Sequence, residues 1–142
     1  MSRLVLDASV LLAALAGRPQ APPALLLTGA HNGDFEAVAC ATLITEVRHG
    51  LRKPYFRNRL TEPEGREAVD AYADLALMLA DPVDPEPVLR DPADDYLVAL
   101  ALTAGAQAIV TGDRDLLDHQ NLNPPAIDPR RACELTRLAE PR

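Results

Sequence analysis

Three short apolar runs, at residues 3–6 (Arg-Leu-Val-Leu), 36–41 (Glu-Ala-Val-Ala-Cys-Ala) and 108–111 (Ala-Ile-Val-Thr), do not alternate with polar residues. A strand with one face in water alternates at period two, so runs like these have both faces covered. Strands of that kind belong to parallel sheets, whose crossover connections lay helices on either face. With 142 residues the chain is sized for one domain. The expected architecture is therefore α/β: a single domain over residues 1–142, built as a three-layer α/β/α sandwich around a mostly parallel sheet.

The segments between the strands supply the helices. Residues 9–15 read as a helix ended by Gly17 and Pro19. Pro22 and Pro23 open a second through Leu25, Leu26 and Leu27, with Gly29 and Gly33 marking its end and a turn. Thr42 is placed to cap a helix running through Leu43, Val47 and Leu51 and stopping before Pro54. Residues 64–80 repeat apolar side chains at helical spacing: Ala68, Val69, Tyr72, Leu75, Ala76 and Leu79. A Pro-rich connector follows over residues 81–87, with Val88 and Leu89 as a very short strand. Asp94 starts a helix dense in Ala and Leu that ends at Gly105. After Gly112 and Asp113, Leu116 and Leu117 sit in a helical turn. A weak strand near Ile127 and a helix over residues 129–138 complete the pattern.

Ligand sites of open parallel sheets form outside the carboxyl ends of the strands, and acids fall there repeatedly. Asp7 closes the first strand. Asp113 and Asp115 follow the strand at 108–111 after one glycine. Asp94 begins the helix that feeds that strand, so it starts on the same side of the sheet. Glu46 lies one turn into the helix after the second strand, and at 100° per residue it sits on the rim of the Leu43–Val47–Leu51 face. Carboxylates converging on one site repel each other unless a cation joins them. All-oxygen donors without His or Cys select Mg2+ or Mn2+ over zinc. Such ions activate water and hold a phosphodiester oxygen, with Ser9 and Thr111 placed to hydrogen-bond the acids. Each acid also has a plainer use, since Asp is a common N-cap and turn residue and Glu46 suits a solvated helix surface. Their coincidence at one sheet edge is what favours the metal. Asp91 and Asp95 flank this edge without a clear inward direction.

A net charge of -7 argues on its face against a nucleic-acid partner. Its distribution does not. Residues 47–61 hold Arg48, Arg52, Lys53, Arg57, Arg59 and His49 with no acid, whereas residues 81–95 hold six acids against Arg90. Arg48, Arg52 and Lys53 begin two residues after Glu46 and are candidates for guiding an RNA backbone towards the metal. His31, His49 and His119 share no ligand spacing. Cys40 and Cys133 lack the spacing of a zinc ribbon or redox pair and read as buried thiols. An aspartate at position 7 interrupts any leader, and no apolar run approaches a membrane span, so a cytoplasmic location is expected.

These residues together resemble a known family. Leu4-Val5-Leu6-Asp7-Ala8-Ser9-Val10-Leu11-Leu12 is similar to the first strand and helix of PIN domains. So are Asp94 with Leu97-Val98-Ala99-Leu100-Ala101 and Gly105, and the segment Ala108-Ile109-Val110-Thr111-Gly112-Asp113-Arg114-Asp115-Leu116-Leu117. Arg90-Asp91-Pro92-Ala93-Asp94 resembles the branch of toxin–antitoxin PIN proteins. The resemblance implies an α/β/α nuclease fold that binds Mg2+ or Mn2+ and cuts RNA, as the VapC-like toxins do until a cognate antitoxin blocks them. It places Asp7, Glu46, Asp94 and Asp113 at the four acidic positions, Asp115 at an auxiliary fifth, and Ser9 and Thr111 at the polar positions beside them. Relatives often carry Asn where Ser9 stands. A homodimer is implied as well.

Other phosphoryl chemistries fit less well. An aspartyl-phosphate enzyme of the HAD type would want a second Asp where Ser9 stands. Both it and a receiver domain want a lysine at the sheet edge, and the chain's one lysine is Lys53. P-loop and dinucleotide fingerprints are absent. The remaining alternative is a catalytically silent PIN-like module that binds RNA or protein; loss of acids would mark it, and all four are present.

Overall fold

A computed structural model, which describes residues 1–137, contains a five-stranded sheet whose pairings are all parallel. Strand β1 (Arg3–Leu6) is central, flanked by β2 (Glu36–Ala39) and β4 (Ala108–Val110), with β3 (Leu77–Met78) and β5 (Ala126–Ile127) at the edges. The register sets Val5 beside Val38 on one side and beside Ile109 on the other. Leu4, Val5, Leu6, Val38, Ile109 and Val110 are wholly buried, as unalternating runs covered on both faces must be.

The order β3-β2-β1-β4-β5 decides where the helices go. The chain steps outward from β1 to β2 to β3, then returns to the far side of β1 for β4. Right-handed crossovers put the connections of the two halves on opposite faces. Helices α1 (Ala8–Ala16), α2 (Pro22–Asn32), α3 (Ala41–Gly50), the short α4 (Pro54–Arg57), α5 (Glu62–Leu75) and the later α8 (Pro129–Thr136) belong to the first half's side. There α1 packs on α2 and α3, α3 on α5, and α8 on α2. Helix α6 (Asp95–Ala104) covers the opposite face against β1, β2 and β4, and α7 (Arg114–Leu117) leads into β5. The direction of travel reverses between β1 and β4, and at such a switch point a crevice opens beyond the strand ends.

Several expected boundaries move, each for a local reason. Helix α5 stops at Leu75 and the apolar residues beyond it become β3, because pairing Leu77 with Val38 and Met78 with Ala39 completes the sheet edge. Thr61, not the residues after it, caps α5 through a reciprocal capping box with Glu64. Thr42 does not cap α3; Cys40 is the N-cap residue, and the Thr42 amide donates instead to Asp81 Oδ1 at 2.9 Å. Gly29 lies buried inside α2, which continues to Asn32 and closes on Gly33 in the left-handed conformation, φ 80°. Val88 and Leu89 form no strand, because both amides donate to Asp95 Oδ1, at 3.0 and 2.7 Å. A 3-10 turn (Pro92–Asp94) precedes α6. The last helix ends at Thr136, and its expected terminus at Leu138 lies outside the described residues. Cys40 and Cys133 are free and buried. No described helix is long and apolar enough to cross a membrane.

Candidate active site

Asp7 follows β1 directly and caps α1, so its backbone is fixed at the switch point. Its amide donates to Val110 O at 2.9 Å, which ties the end of β1 to the end of β4. Oδ1 accepts the Ala8 amide at 2.7 Å, and Oδ2 accepts the Thr111 hydroxyl at 2.8 Å. Ser9 Oγ stands 3.4 Å from Oδ2 and accepts the Gly112 amide at 3.4 Å. Thr111 is fully buried and works in both directions, since its Oγ1 also accepts the Asp113 amide at 3.0 Å. One hydroxyl thus links the acids after β1 and β4. Burial pushes the Asp7 carboxyl up, the Thr111 and Ala8 bonds oppose that, and the charge of Asp113 adds to it. Asp113 caps α7 by accepting the Asp115 amide at 2.9 Å.

Asp94 shows what a capping residue would not. It occupies the N-cap position of α6, yet its side chain makes no capping hydrogen bond. Its carboxyl is raised to about 6, first by burial and then by the charges of Asp7, Asp91, Glu46 and Asp113. Glu46, half-buried on α3, is also raised, by burial and by Asp7 and Asp91. The four acids expected from the sequence are therefore close enough to act on one another. Two neighbours were not expected. Asp91 caps the 3-10 turn through the Ala93 amide at 2.9 Å, while its charge acts on both Glu46 and Asp94. Tyr96 is 7% exposed, and its hydroxyl has no hydrogen bond of good geometry although it is near enough to Glu46 to hold that carboxyl down. Nothing at residue 96 marks this in sequence except a tyrosine two positions after a site acid.

Asp115 stands apart. It is exposed, lies 3.9 Å from Arg90 Nη1, and is not among the charges that raise Asp94. Arg48 pairs with Asp70 of α5 at 2.6 Å. Two residues along a helix is a rotation of about 200°, so Arg48 leaves α3 on the flank away from Glu46. Arg52 lies on that flank too, and Lys53 is exposed just before α4. Asp95, beside Asp94, is 3% exposed and holds backbone amides instead of facing the acids.

Among the described residues, no three His, Cys, Asp or Glu side chains close around one point at ligand distance. Mg2+ does not require that: it keeps several waters and takes one or two carboxylates together with substrate phosphates. A half-open set of mutually repelling oxygen donors, one of them free of hydrogen bonds, suits a hard divalent cation.

A parallel α/β fold with acids gathered where the strand order reverses, between β1 and β4, defines a class of α/β proteins with an acidic site at the sheet edge. The profile of the PIN domain matches residues 3–115, and the chain belongs to the PIN-domain family, whose members are as a rule nucleases. Its fold is similar to the crystal structure of PAE2754 from Pyrobaculum aerophilum, with a TM-score of 0.66 and 22% identity, covering 99% of this chain and 91% of that one. No curated protein matches the sequence.

Proposed function

We propose that this chain is a Mg2+- or Mn2+-dependent endoribonuclease and the toxin half of a toxin–antitoxin pair. The observation that carries the reading is the Asp94 carboxylate, which has no capping bond and is raised to about 6 by burial and then by four like charges at the sheet edge. In this reading Asp7 and Asp94 hold the cation, with Asp113 completing the donor set and Asp115 at its margin. The bound ion supplies activation of water and neutralisation of charge on a phosphodiester oxygen. Glu46, its carboxyl raised towards neutrality, is suited to accept a proton from the attacking water. Thr111 and Ser9 orient Asp7, and Tyr96 faces Glu46. The toxin role, the antitoxin partner, the homodimer and the cytoplasmic setting rest on the resemblance of the motifs around Asp7, Asp94 and Asp113.

The test is cleavage of labelled total RNA by the full chain with Mg2+, with Mn2+ and with EDTA, beside Asp7→Asn and Asp94→Asn. Cutting that needs the ion and vanishes in either variant is expected. Cutting that persists in a variant overturns the site. Metal binding without cutting of any RNA supports the silent binding module instead.

A further inference from the structure

A groove of about 250 Å3 opens between the end of α3, α4 and the start of α5, on the flank of α3 away from Glu46. Leu51 and Leu60 line it, and four arginines surround it: Arg48, Arg52, Arg57 and Arg66. Two are engaged, Arg48 by Asp70 at 2.6 Å and Arg57 by Glu62 at 3.6 Å. Arg52 and Arg66 are exposed and form no ion pair among the described residues. On α4, which borders the groove, Tyr55 is 56% exposed, with the Arg59 guanidinium 3.6 Å from its ring centroid on one face. In a chain of net charge -7, cations gather here around an exposed aromatic ring.

We infer that this strip is a track for single-stranded RNA, distinct from the acids, that grips the strand several nucleotides from the bond to be cut. The substrate class rests on the ribonuclease reading. Single strands are held by a cationic groove that follows the backbone and by aromatic faces on which bases stack. Arginine suits the first part because its planar fork matches phosphate oxygens in pairs. Tyr55, braced by Arg59, supplies the second. Glu46 sits within α3, whereas Arg52 lies in the turn just past the end of that helix. An RNA whose reacting phosphate sits at the acids must therefore pass round the end of this helix to reach the strip. The acids govern the reaction, and the strip governs how much RNA is held. An acidic peptide would use the arginines and the leucines but would leave the stacked, exposed Tyr55 without a role.

The test is fluorescence anisotropy with a labelled oligouridylate of about 12 nucleotides, in EDTA, from about 50 to 200 mM salt. Wild type is compared with Arg52→Ala/Arg66→Ala and with Tyr55→Ala, and circular dichroism melting establishes that each variant folds. The double variant is expected to bind at least about tenfold more weakly, with its log-log salt slope shallower by about 1.4, because each single-strand phosphate contact contributes about 0.7. Tyr55→Ala is expected to weaken binding about fivefold or more. Titrations that superimpose on wild type overturn the track. So does unchanged RNA binding with an altered mass in sedimentation, which assigns the strip to a protein contact. A wild type that binds through the strip but cuts no RNA leaves the track standing and removes the nuclease. A wild type that cuts while the variants bind normally removes the track alone.

Discussion

Replacing Asp94 by Asn should abolish cleavage and at the same time make the metal-free protein more stable. The carboxyl sits at about 6 against 3.8 for an unperturbed Asp, a rise of about two units. Each unit corresponds to about 1.4 kcal/mol, so the penalty for keeping this charge in the fold is at most about 3 kcal/mol. Asp94 is only half-buried, and solvent screening reduces that to about 1 kcal/mol. For a chain of this length the gain is about 3–5 °C in melting temperature. The pH dependence has a definite sign. A raised folded-state pKa means that the folded protein takes up the proton more readily than the unfolded chain. The penalty is thus absent below about 3.8 and complete above about 6. The advantage of Asp94→Asn should accordingly be largest near neutral pH and vanish towards pH 4. Thermal unfolding by circular dichroism in EDTA across that range measures it. Saturating Mg2+ should then favour wild type, since a ligand stabilises only the state that binds it. A variant less stable than wild type near neutral pH in EDTA, or a difference that ignores pH, would refute the argument from burial and repulsion and make Asp94 an ordinary helix-start residue.

Other substitutions separate the remaining parts of the site. Thr111→Val removes the donor to Asp7 and the acceptor for the Asp113 amide, so it should cost about 2 kcal/mol in urea unfolding. It should also raise the Asp7 carboxyl further and move the acid limb of the pH–rate profile to higher pH. Asp95→Ala strands the Val88 and Leu89 amides and should cost about 3 kcal/mol, with faster proteolysis of residues 81–91 as the readout. Tyr96→Phe deletes a buried hydroxyl that makes no hydrogen bond of good geometry and touches the fold only through its proximity to Glu46. Stability should therefore hold or rise by up to about 1 kcal/mol while RNA cleavage falls at least about tenfold. A loss of stability in that variant would mean that the contact with Glu46 is a bond the fold depends on.

What could be read in advance depended on how local its physics is. The three central strands announce themselves by unalternating apolar residues, and Asp7, Asp113 and Asp94 follow from standing next to strand and helix ends. β3 could not be separated from α5, because Leu75 to Leu79 is equally apolar at helical and strand spacing, and only the exposed edge of β2 decides between them. Asp91 and Asp95 were indistinguishable as neighbouring acids. One acts on the site acids and the other holds backbone amides of a distant connector, and that division depends on where residues 88–91 cross the sheet end. The basic stretch was visible, but its direction was not. A helix turns about 200° in two residues, which carries Arg48 to the flank opposite Glu46.

The pairing of β1 with β4 has a consequence for the order in which this protein comes into being. Val5 and Ile109 are neighbours in the sheet but lie far apart along the chain, so β1 is made long before its partner. At about 5–20 residues per second, seconds pass between the synthesis of β1 and that of β4. Until β4 docks, Asp7 lacks both the Val110 carbonyl that pins it and the Thr111 hydroxyl that orients it. A chain that has not yet reached Thr111 carries no assembled acid cluster, so the candidate site comes into being only when β4 docks against β1.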